Sequence, residues 1–407
     1  MIQTPIGALA FIVAALVAAT AVSFVLTPFA IRFAGRLGAI DRPDEGRRVH
    51  RLPVPRGGGL AVVASFVGVG IGAVLINDLV GAVSQPPIRA ITSEQLMALF
   101  AGSLVAAGAG FLDDRYQLRA RWQLLIQVAL AVIAVVAGIT IAFVDNPVGF
   151  LGGPFAAKVI DFSGEVAIVV TVLWIVGMVN SINFIDGLDG LSTGIALIAA
   201  LTLAVLSLTP GLNQPWVALL CAVLAGALAG FLPWNFHPAR VFIGTTGVYA
   251  VGYALAVLSI LGVAKVAVAM LVLGVPIIDT FWIIIRRLNA RRSPFTPDRG
   301  HFHHRLLDLG LTHRGAVLVI YAICALLAVL SLVLSGTGSL YAFMGVVVGG
   351  GLVLYLMTRR AQEALDARSY DDGSTPTAVT VEPVRPRTVD DPPTGRQGAS
   401  QARRPGP

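Results

Sequence analysis

Long apolar runs, separated by short polar connections, set the pattern of this chain. Each run is close to twenty residues, the length an α-helix needs to cross the hydrocarbon layer of a bilayer. The pattern predicts about eleven spans, over roughly 7–30, 58–79, 95–112, 122–144, 166–182, 190–209, 214–233, 246–264, 266–286, 315–336 and 338–358. The expected fold class is therefore an all-α polytopic membrane protein. The polar residues divide unevenly between the two sets of connections. One set is short and chemically plain, and its longest member, near 145–165, has the Asn-Pro and Gly-Gly-Pro signals of a short hairpin. The other set is rich in Asp, Asn, His, Arg and Gly.

Composition agrees with a membrane protein: 56% of the 407 residues are hydrophobic and 13% charged, with a mean hydropathy of +0.82. A soluble globular domain does not have this composition. Cys221 and Cys324 both lie within apolar runs, which excludes a disulfide framework and leaves packing as their role. The first apolar run has no basic residue before it, and Arg32 and Arg36 follow it, the reverse of a secretory signal peptide. A retained first helix with its N-terminus outside is expected, and an odd number of spans puts the C-terminus inside. On that topology only Arg89, Lys158 and Lys265 of the 29 Lys and Arg fall outside, as the positive-inside rule requires. The expected organisation is a membrane domain over 1–360 and a disordered cytoplasmic tail over 361–407, rich in Pro, Asp, Arg, Ser and Gly. No nucleic-acid partner is expected.

Candidate chemistry gathers in the five inner connections. The first carries Asp41, Arg47, Arg48 and His50, then Arg56 and Gly57 to Gly59, and suits either phosphate groups or a basic membrane anchor. The second carries the adjacent pair Asp113 and Asp114. Neighbouring carboxylates repel unless a cation or basic groups offset them, so this pair points to a divalent metal, to a general base beside one, or to neutralisation by Arg115, Arg119 and Arg121. The third, Asn180 to Leu191, sets Asn180, Asn183, Asp186 and Asp189 between two spans, and its two Asp-Gly pairs allow close backbone approach to a ligand or an ordinary turn. The fourth offers Asn235 to read a base edge and Phe242 to stack on it. The fifth runs from Asp279 to Arg299, His301, His303, His304 and Arg305. Its histidines suit a pyrophosphate or acid–base chemistry, and three His also suit zinc, although the flanking Arg favour an anion. One-sided polar chemistry of this kind argues for a site on the cytoplasmic face, whereas a transporter more often buries its polar groups at midplane.

Taken together, these stretches resemble the polyprenyl-phosphate N-acetylhexosamine-1-phosphate transferases, a family that includes enzymes starting O-antigen, teichoic acid or arabinogalactan linkage-unit synthesis and the phospho-MurNAc-pentapeptide translocase. The resemblance covers about residues 10–357. It rests on Asp41 with Arg47-Arg48-Val49-His50, Asp113-Asp114, Asn180 with Asn183-Phe184-Ile185-Asp186-Gly187-Leu188-Asp189-Gly190, Pro276 with Asp279, and Asp298-Arg299 with His301-Phe302-His303-His304-Arg305-Leu306. The last stretch favours the GlcNAc-1-phosphate branch.

The resemblance implies transfer of a sugar-1-phosphate from a UDP-N-acetylhexosamine, by default UDP-GlcNAc, to undecaprenyl or decaprenyl phosphate, with release of UMP and assistance from Mg²⁺ or Mn²⁺. It implies a multi-pass protein of a bacterial inner membrane, in contact with membrane lipid, and a homodimer. Asp113, Asp114, Asp186, Asp189, His301, His303 and His304 are the implied catalytic residues, and Asp114, Asp186 and Asp189 the implied metal ligands. Asp41, Arg47, Arg48, His50, Asn180, Asn183, Asn235, Phe242, Asp279, Arg299 and Arg305 are the implied substrate contacts. One loop departs from the family. Where the family reads Met-Gly-Asp-x-Gly-Ser, this chain reads Ile243-Gly244-Thr245-Thr246-Gly247-Val248, with Thr245 in place of a metal-binding Asp. A hydroxyl is a weaker Mg²⁺ ligand than a carboxylate. The alternative expectation is an impaired homologue that binds UDP-sugar or lipid carrier as a scaffold.

Overall fold

In the computed structural model, residues 6–41, 53–80, 91–146, 148–151, 157–210, 212–262, 266–289, 301–334 and 336–371 are described. Among the sequence-derived site residues, Arg47, Arg48, His50 and Arg299 lie outside this set. The described residues form thirteen α-helices and four short strands. In chain order these are α1 (Ile6–Arg36), β1 (Ile40–Asp41), β2 (Val54–Pro55), α2 (Gly59–Val80), α3 (Ser93–Tyr116), α4 (Ala120–Val136), β3 (Phe143–Asp145), β4 (Val159–Asp161), α5 (Gly164–Ile185) and α6 (Leu191–Ser207). They continue with α7 (Pro215–Asn235), α8 (Gly244–Leu261), α9 (Val266–Val272), α10 (Gly274–Asn289), α11 (Phe302–Asp308), α12 (His313–Val333) and α13 (Gly336–Asp371).

Seven of these helices are long and apolar enough to cross a membrane, and an eighth crossing results if α9 and α10 form one bent span. Three shorter apolar helices, Ala120–Val136, Leu191–Ser207 and Thr337–Val353, add to them. The protein is thus a polytopic all-α membrane protein. Backbone polar groups must be satisfied within each segment where no water reaches them, and helices achieve this locally. The expected hairpin is present: β3 pairs antiparallel with β4, Val144 opposite Ile160. A second small antiparallel pair joins β1 to β2, with Ile40 opposite Pro55.

Two expected boundaries shift for physical reasons. The span expected over 122–144 ends at Val136. Gly138 adopts φ 77°, its N–H donates to Val135 O, and the Ile139 N–H donates to Ala134 O, a glycine stop that satisfies the last carbonyls. The single span expected over 266–286 is instead two helices bent by 77°, where Gly274 and Pro276 sit together. Helix α13 runs to Asp371, and the residues beyond it are outside the described set.

Helices α7 and α8 form the centre, with 83% of their apolar windows buried against 22% for α1. Around them, α7 packs on α1, α6 and α2, while α8 packs on α3, α5 and α2. Small residues make the closest approaches, as is usual between membrane helices, where packing rather than water exclusion drives association. On α7, Gly226 and Gly230 face the Leu16 and Thr20 carbonyl oxygens of α1, and a Cβ at either glycine would overlap them. Between α4 and α5, Gln127 and Asn180 form a reciprocal amide pair, Nδ2 to Oε1 at 2.6 Å and Nε2 to Oδ1 at 3.3 Å.

The close packing of α1 on α7 sets a measurable expectation. Gly230→Ala forces α1 outward and lowers stability by about 1–3 kcal/mol. Gly177→Ala on α5, whose Cβ meets nothing within 4 Å, leaves stability unchanged or raises it by up to about 1 kcal/mol through helix propensity. Thermal unfolding in detergent of the two variants side by side checks both signs.

Candidate functional site

The polar connections meet at one end of the helix bundle. The C-terminal ends of α3, α5 and α7 and the N-terminal end of α8 enclose a cavity of about 310 Å³. Asp41, Arg56, Asp114, Asn183, Asp186 and Asp189 line it with Asn235, Phe242, Thr245 and His304.

Its floor is backbone. The Pro55–Gly59 segment zips onto the strand-like residues before α8: Phe242 N–H donates to Pro55 O, Gly58 N–H to Phe242 O, and Gly59 N–H to Ile243 O, at 3.0 Å each. Side chains would prevent this approach. A Cβ at Gly59 would overlap Gly247, and one at Gly110 would overlap the Thr245 carbonyl. The three glycines that the sequence offered as a phosphate cradle thus spend their N–H groups on these carbonyls. Gly244, with φ 68°, lies against the Asp114 carboxylate, and this left-handed conformation favours glycine.

The two adjacent carboxylates accept hydrogen bonds from uncharged donors. Asp114 Oδ1 accepts from Thr245 N–H at 2.8 Å, and Oδ2 accepts from Thr246 N–H at 2.9 Å and Thr246 Oγ1–H at 2.7 Å. Asp114 thereby satisfies the open N–H groups of the first turn of α8, where the helix dipole also favours negative charge. Asp113 sits just behind the lining. Its Oδ1 accepts from Leu118 N–H at 2.9 Å and Gln123 Nε2–H at 2.8 Å, and its Oδ2 from Thr245 Oγ1–H at 2.8 Å. Thr245 therefore bridges both carboxylates.

Asp186 ends α5, and its Oδ1 accepts from Ser192 Oγ–H at 2.5 Å. Burial, reinforced by the carboxylates of Asp114 and Asp189, pushes its pKa up to about 7, against the opposing effects of Ser192 and Arg56. Converging carboxylates of this kind fit a divalent cation, which offsets their repulsion. Arg56, with Nη2 3.0 Å from Asp41 Oδ1, provides a guanidinium in the lining. The sequence placed Arg56 beside the glycines without singling it out; a basic residue at the edge of a polar loop was its only signal.

Other expected residues lie in or around the cavity, several of them held by neighbouring groups. Asn180 is committed to Gln127 and the Val176 carbonyl. Asn235 lines the cavity and is held there, accepting from Thr193 Oγ1–H at 2.6 Å and donating to Val241 O at 3.0 Å. Asp279 ties α10 to the histidine segment: Oδ2 lies 2.8 Å from His301 Nδ1, and Oδ1 accepts from Phe302 N–H at 2.8 Å. His301 stacks on His303 at 5.4 Å and 11°. His303 is buried, and neither of its ring nitrogens has a hydrogen-bond partner among the described residues. Burial first, then the neighbouring imidazoles of His304, His301 and His313, lowers its pKa well below the usual value, so the ring is neutral. It packs directly on Gly187, where a Cβ would collide with its Nε2. Of the three histidines, only His304 lines the cavity, and Arg305 does not.

The sequence comparisons decide what kind of protein this site belongs to. Residues 96–263 match the family described as Glycosyl transferase family 4. A probable undecaprenyl-phosphate N-acetylglucosaminyl 1-phosphate transferase of Bacillus subtilis (strain 168) is 38% identical over 329 residues, 79% of this chain and 85% of the relative. A decaprenyl-phosphate N-acetylglucosaminephosphotransferase of Mycobacterium tuberculosis (strain ATCC 25618 / H37Rv) is 34% identical over 82% of this chain and 86% of its own. This chain belongs to that transferase family. A phospho-N-acetylmuramoyl-pentapeptide-transferase of Desulforudis audaxviator, 32% identical over 78% of this chain and 96% of its own, marks the breadth of the transferase family around it.

In this transferase the bridging role of Thr245 yields a sharp expectation. A carboxylate at that position faces Asp113 with like charge and forfeits a hydrogen bond to a charged acceptor, which costs roughly 1–3 kcal/mol. Thr245→Asp therefore unfolds at a lower temperature than the wild type in chelator, and Mg²⁺ or Mn²⁺ raises its midpoint more than that of the wild type. Thermal unfolding with and without the cation measures both shifts.

Proposed function

We propose that this transferase moves GlcNAc-1-phosphate from UDP-GlcNAc to a polyprenyl phosphate, undecaprenyl or decaprenyl, releasing UMP at the cytoplasmic face of a bacterial inner membrane. The observation that carries the reading is the cavity at the ends of α3, α5, α7 and α8, where Arg56 and the carboxylates of Asp114, Asp186 and Asp189 converge. An oxygen of the lipid phosphate attacks the phosphorus that bears the sugar, the bond to the bridging oxygen breaks, and UMP leaves with that electron pair. Because both reactants are anions, their approach has to be screened.

Arg56 provides part of that screening. Asp186, with Asp114 and Asp189 around it, would hold a divalent cation, which supplies further charge neutralisation when bound. Phe242 and Asn183 wall the nucleotide side, and His304 faces the sugar diphosphate. Asp113, held by Thr245, Leu118 and Gln123, is the candidate for positioning or deprotonating the lipid phosphate. An amphiphilic acceptor accounts for a polar cavity at the ends of apolar helices, since its phosphate must reach the cavity while its tail stays in lipid. About eleven crossings with the N-terminus outside complete the proposed topology, and the family resemblance adds a homodimer.

Two measurements test this reading. Purified protein in detergent, given UDP-GlcNAc, polyprenyl phosphate and Mg²⁺ or Mn²⁺, releases UMP in proportion to the lipid-linked product. No UMP from the wild type, but release from Thr245→Asp, identifies the impaired homologue instead; silence from both overturns the substrate assignment. The second measurement concerns pH. With the Asp186 pKa at about 7, a proton competes with the cation below that pH. Apparent cation affinity therefore rises by up to roughly tenfold per pH unit on approaching 7 from below and levels off above it. Asp186→Asn abolishes this dependence; cation titrations monitored by thermal shift at several pH values check it.

A further inference from the structure

Beside the cavity, three side chains from distant parts of the chain converge on one point. Asp189 comes from the turn between α5 and α6, His237 from the connection between α7 and α8, and His313 from the first residue of α12. One candidate ligand atom from each lies within 4.8 Å of the other two. His237 Nδ1 is 2.7 Å from Asp189 Oδ2. The Asp189 N–H donates to His313 Nε2 at 3.0 Å, which fixes that nitrogen as the unprotonated one. The two imidazoles are stacked, with centroids 4.3 Å apart and planes 17° apart.

We propose that Asp189, His237 and His313 form a divalent-cation site of imidazole–carboxylate character that takes a cation of the Zn²⁺, Co²⁺ and Ni²⁺ class in preference to Mg²⁺. Two imidazoles and one carboxylate are a donor set for such cations, whereas Mg²⁺ is bound through oxygen. Ligand atoms around a four-coordinate cation, with bonds of about 2.0–2.1 Å, lie roughly 3.3 Å apart. Opening the Asp189–His237 contact by a few tenths of an ångström meets that spacing for this pair, and His313 Nε2, within 4.8 Å of both other ligand atoms, reaches it by turning its ring out of the stack with His237. On binding, the cation takes the place of the proton between Oδ2 and Nδ1, the neutral ring carrying its one proton on Nε2 instead, and His313 exchanges its amide hydrogen bond for a coordinate bond.

The surroundings hold the donors in place, as supporting partners do at metal sites. Arg314 Nε–H donates to the His237 carbonyl at 3.0 Å, and Ala239 N–H donates to Asp189 Oδ2 at 3.1 Å. Thr312 caps α12 through the Gly315 N–H at 3.1 Å, fixing the turn that presents His313. A cation here cross-links three connections around Asp189, the one member that also lines the cavity. The site shares Asp189 with the carboxylates of the cavity, and its evidence is this geometry, not the transfer reaction.

The test uses full-length protein in detergent, stripped with chelator and titrated with Co²⁺ and, separately, Zn²⁺ in the presence of excess Mg²⁺. One equivalent is retained against Mg²⁺, and X-ray absorption of the wild-type sample shows two imidazoles in its shell. His237→Gln and His313→Gln each weaken binding by roughly tenfold or more, while the double variant His301→Gln/His304→Gln retains it. Failure of the wild type to hold Co²⁺ or Zn²⁺ over Mg²⁺ overturns the proposal. So does a shell with fewer than two imidazoles, or binding that survives His237→Gln and disappears with His301 and His304. The absorption measurement needs no variant, so a misfolded substitution does not blunt the test.

Discussion

The seating of the Asp114 carboxylate on the first turn of α8 is the interaction on which the site depends. A carboxylate at the end of a membrane helix is costly unless donors surround it, and the first turn of a helix has N–H groups that otherwise lack partners. Each solves the other's problem. The consequence is positional: the end of α3 is locked to the start of α8, and Thr245, held by the same contact, fixes Asp113. Around this lock the β2–α2 segment pairs with Phe242 and Ile243 and brings Arg56 into the lining. Removing Asp114 would leave the α8 terminus open and release Thr245, so its effects would not be confined to lost charge.

Much of the fold was legible because the bilayer permits so few solutions. Apolar length alone identified the helices, since an unpaired backbone in hydrocarbon is too costly to persist. The break between α9 and α10 was missed although Gly274 and Pro276 signal it; a hydropathy pattern averages over a bend. The end of α4 was missed because its glycine stop lies within an apolar run that continues past it. Hydropathy reports what a segment dissolves in and is blind to the few dihedral angles that turn the chain.

The site was legible by residue type and much less so by role. Asp114, Asp186, Asp189 and His304, all picked out by residue type, line one cavity. No local pattern signals that Asn180 pairs with Gln127, 53 residues away, or that Asp279 anchors His301. The pairing of Asp189 with His237 and His313 spans 48 and 124 residues. The packing of α6 against α5, α7 and α12 brings these together, and isolated histidines in polar loops carry no spacing that announces it. Thr245 is instructive in the other direction. Read as a lost charge it suggested a deficit, whereas its hydroxyl and amide satisfy two carboxylates at once.

The glycine contacts beneath the cavity bear on how this protein can diverge. Gly58, Gly59, Gly110 and Gly247 are wedged against backbone or aromatic rings, so a side chain at any of them would require helices to part. The floor is therefore closed to gradual sequence drift, while Arg56, Asn183, Phe242 and His304 project from it without such constraint. New donor preferences can arise by exchanging wall residues one at a time over an unchanging base. Sequence variation among descendants of this chain should concentrate in the walls, and selectivity should change there before architecture does.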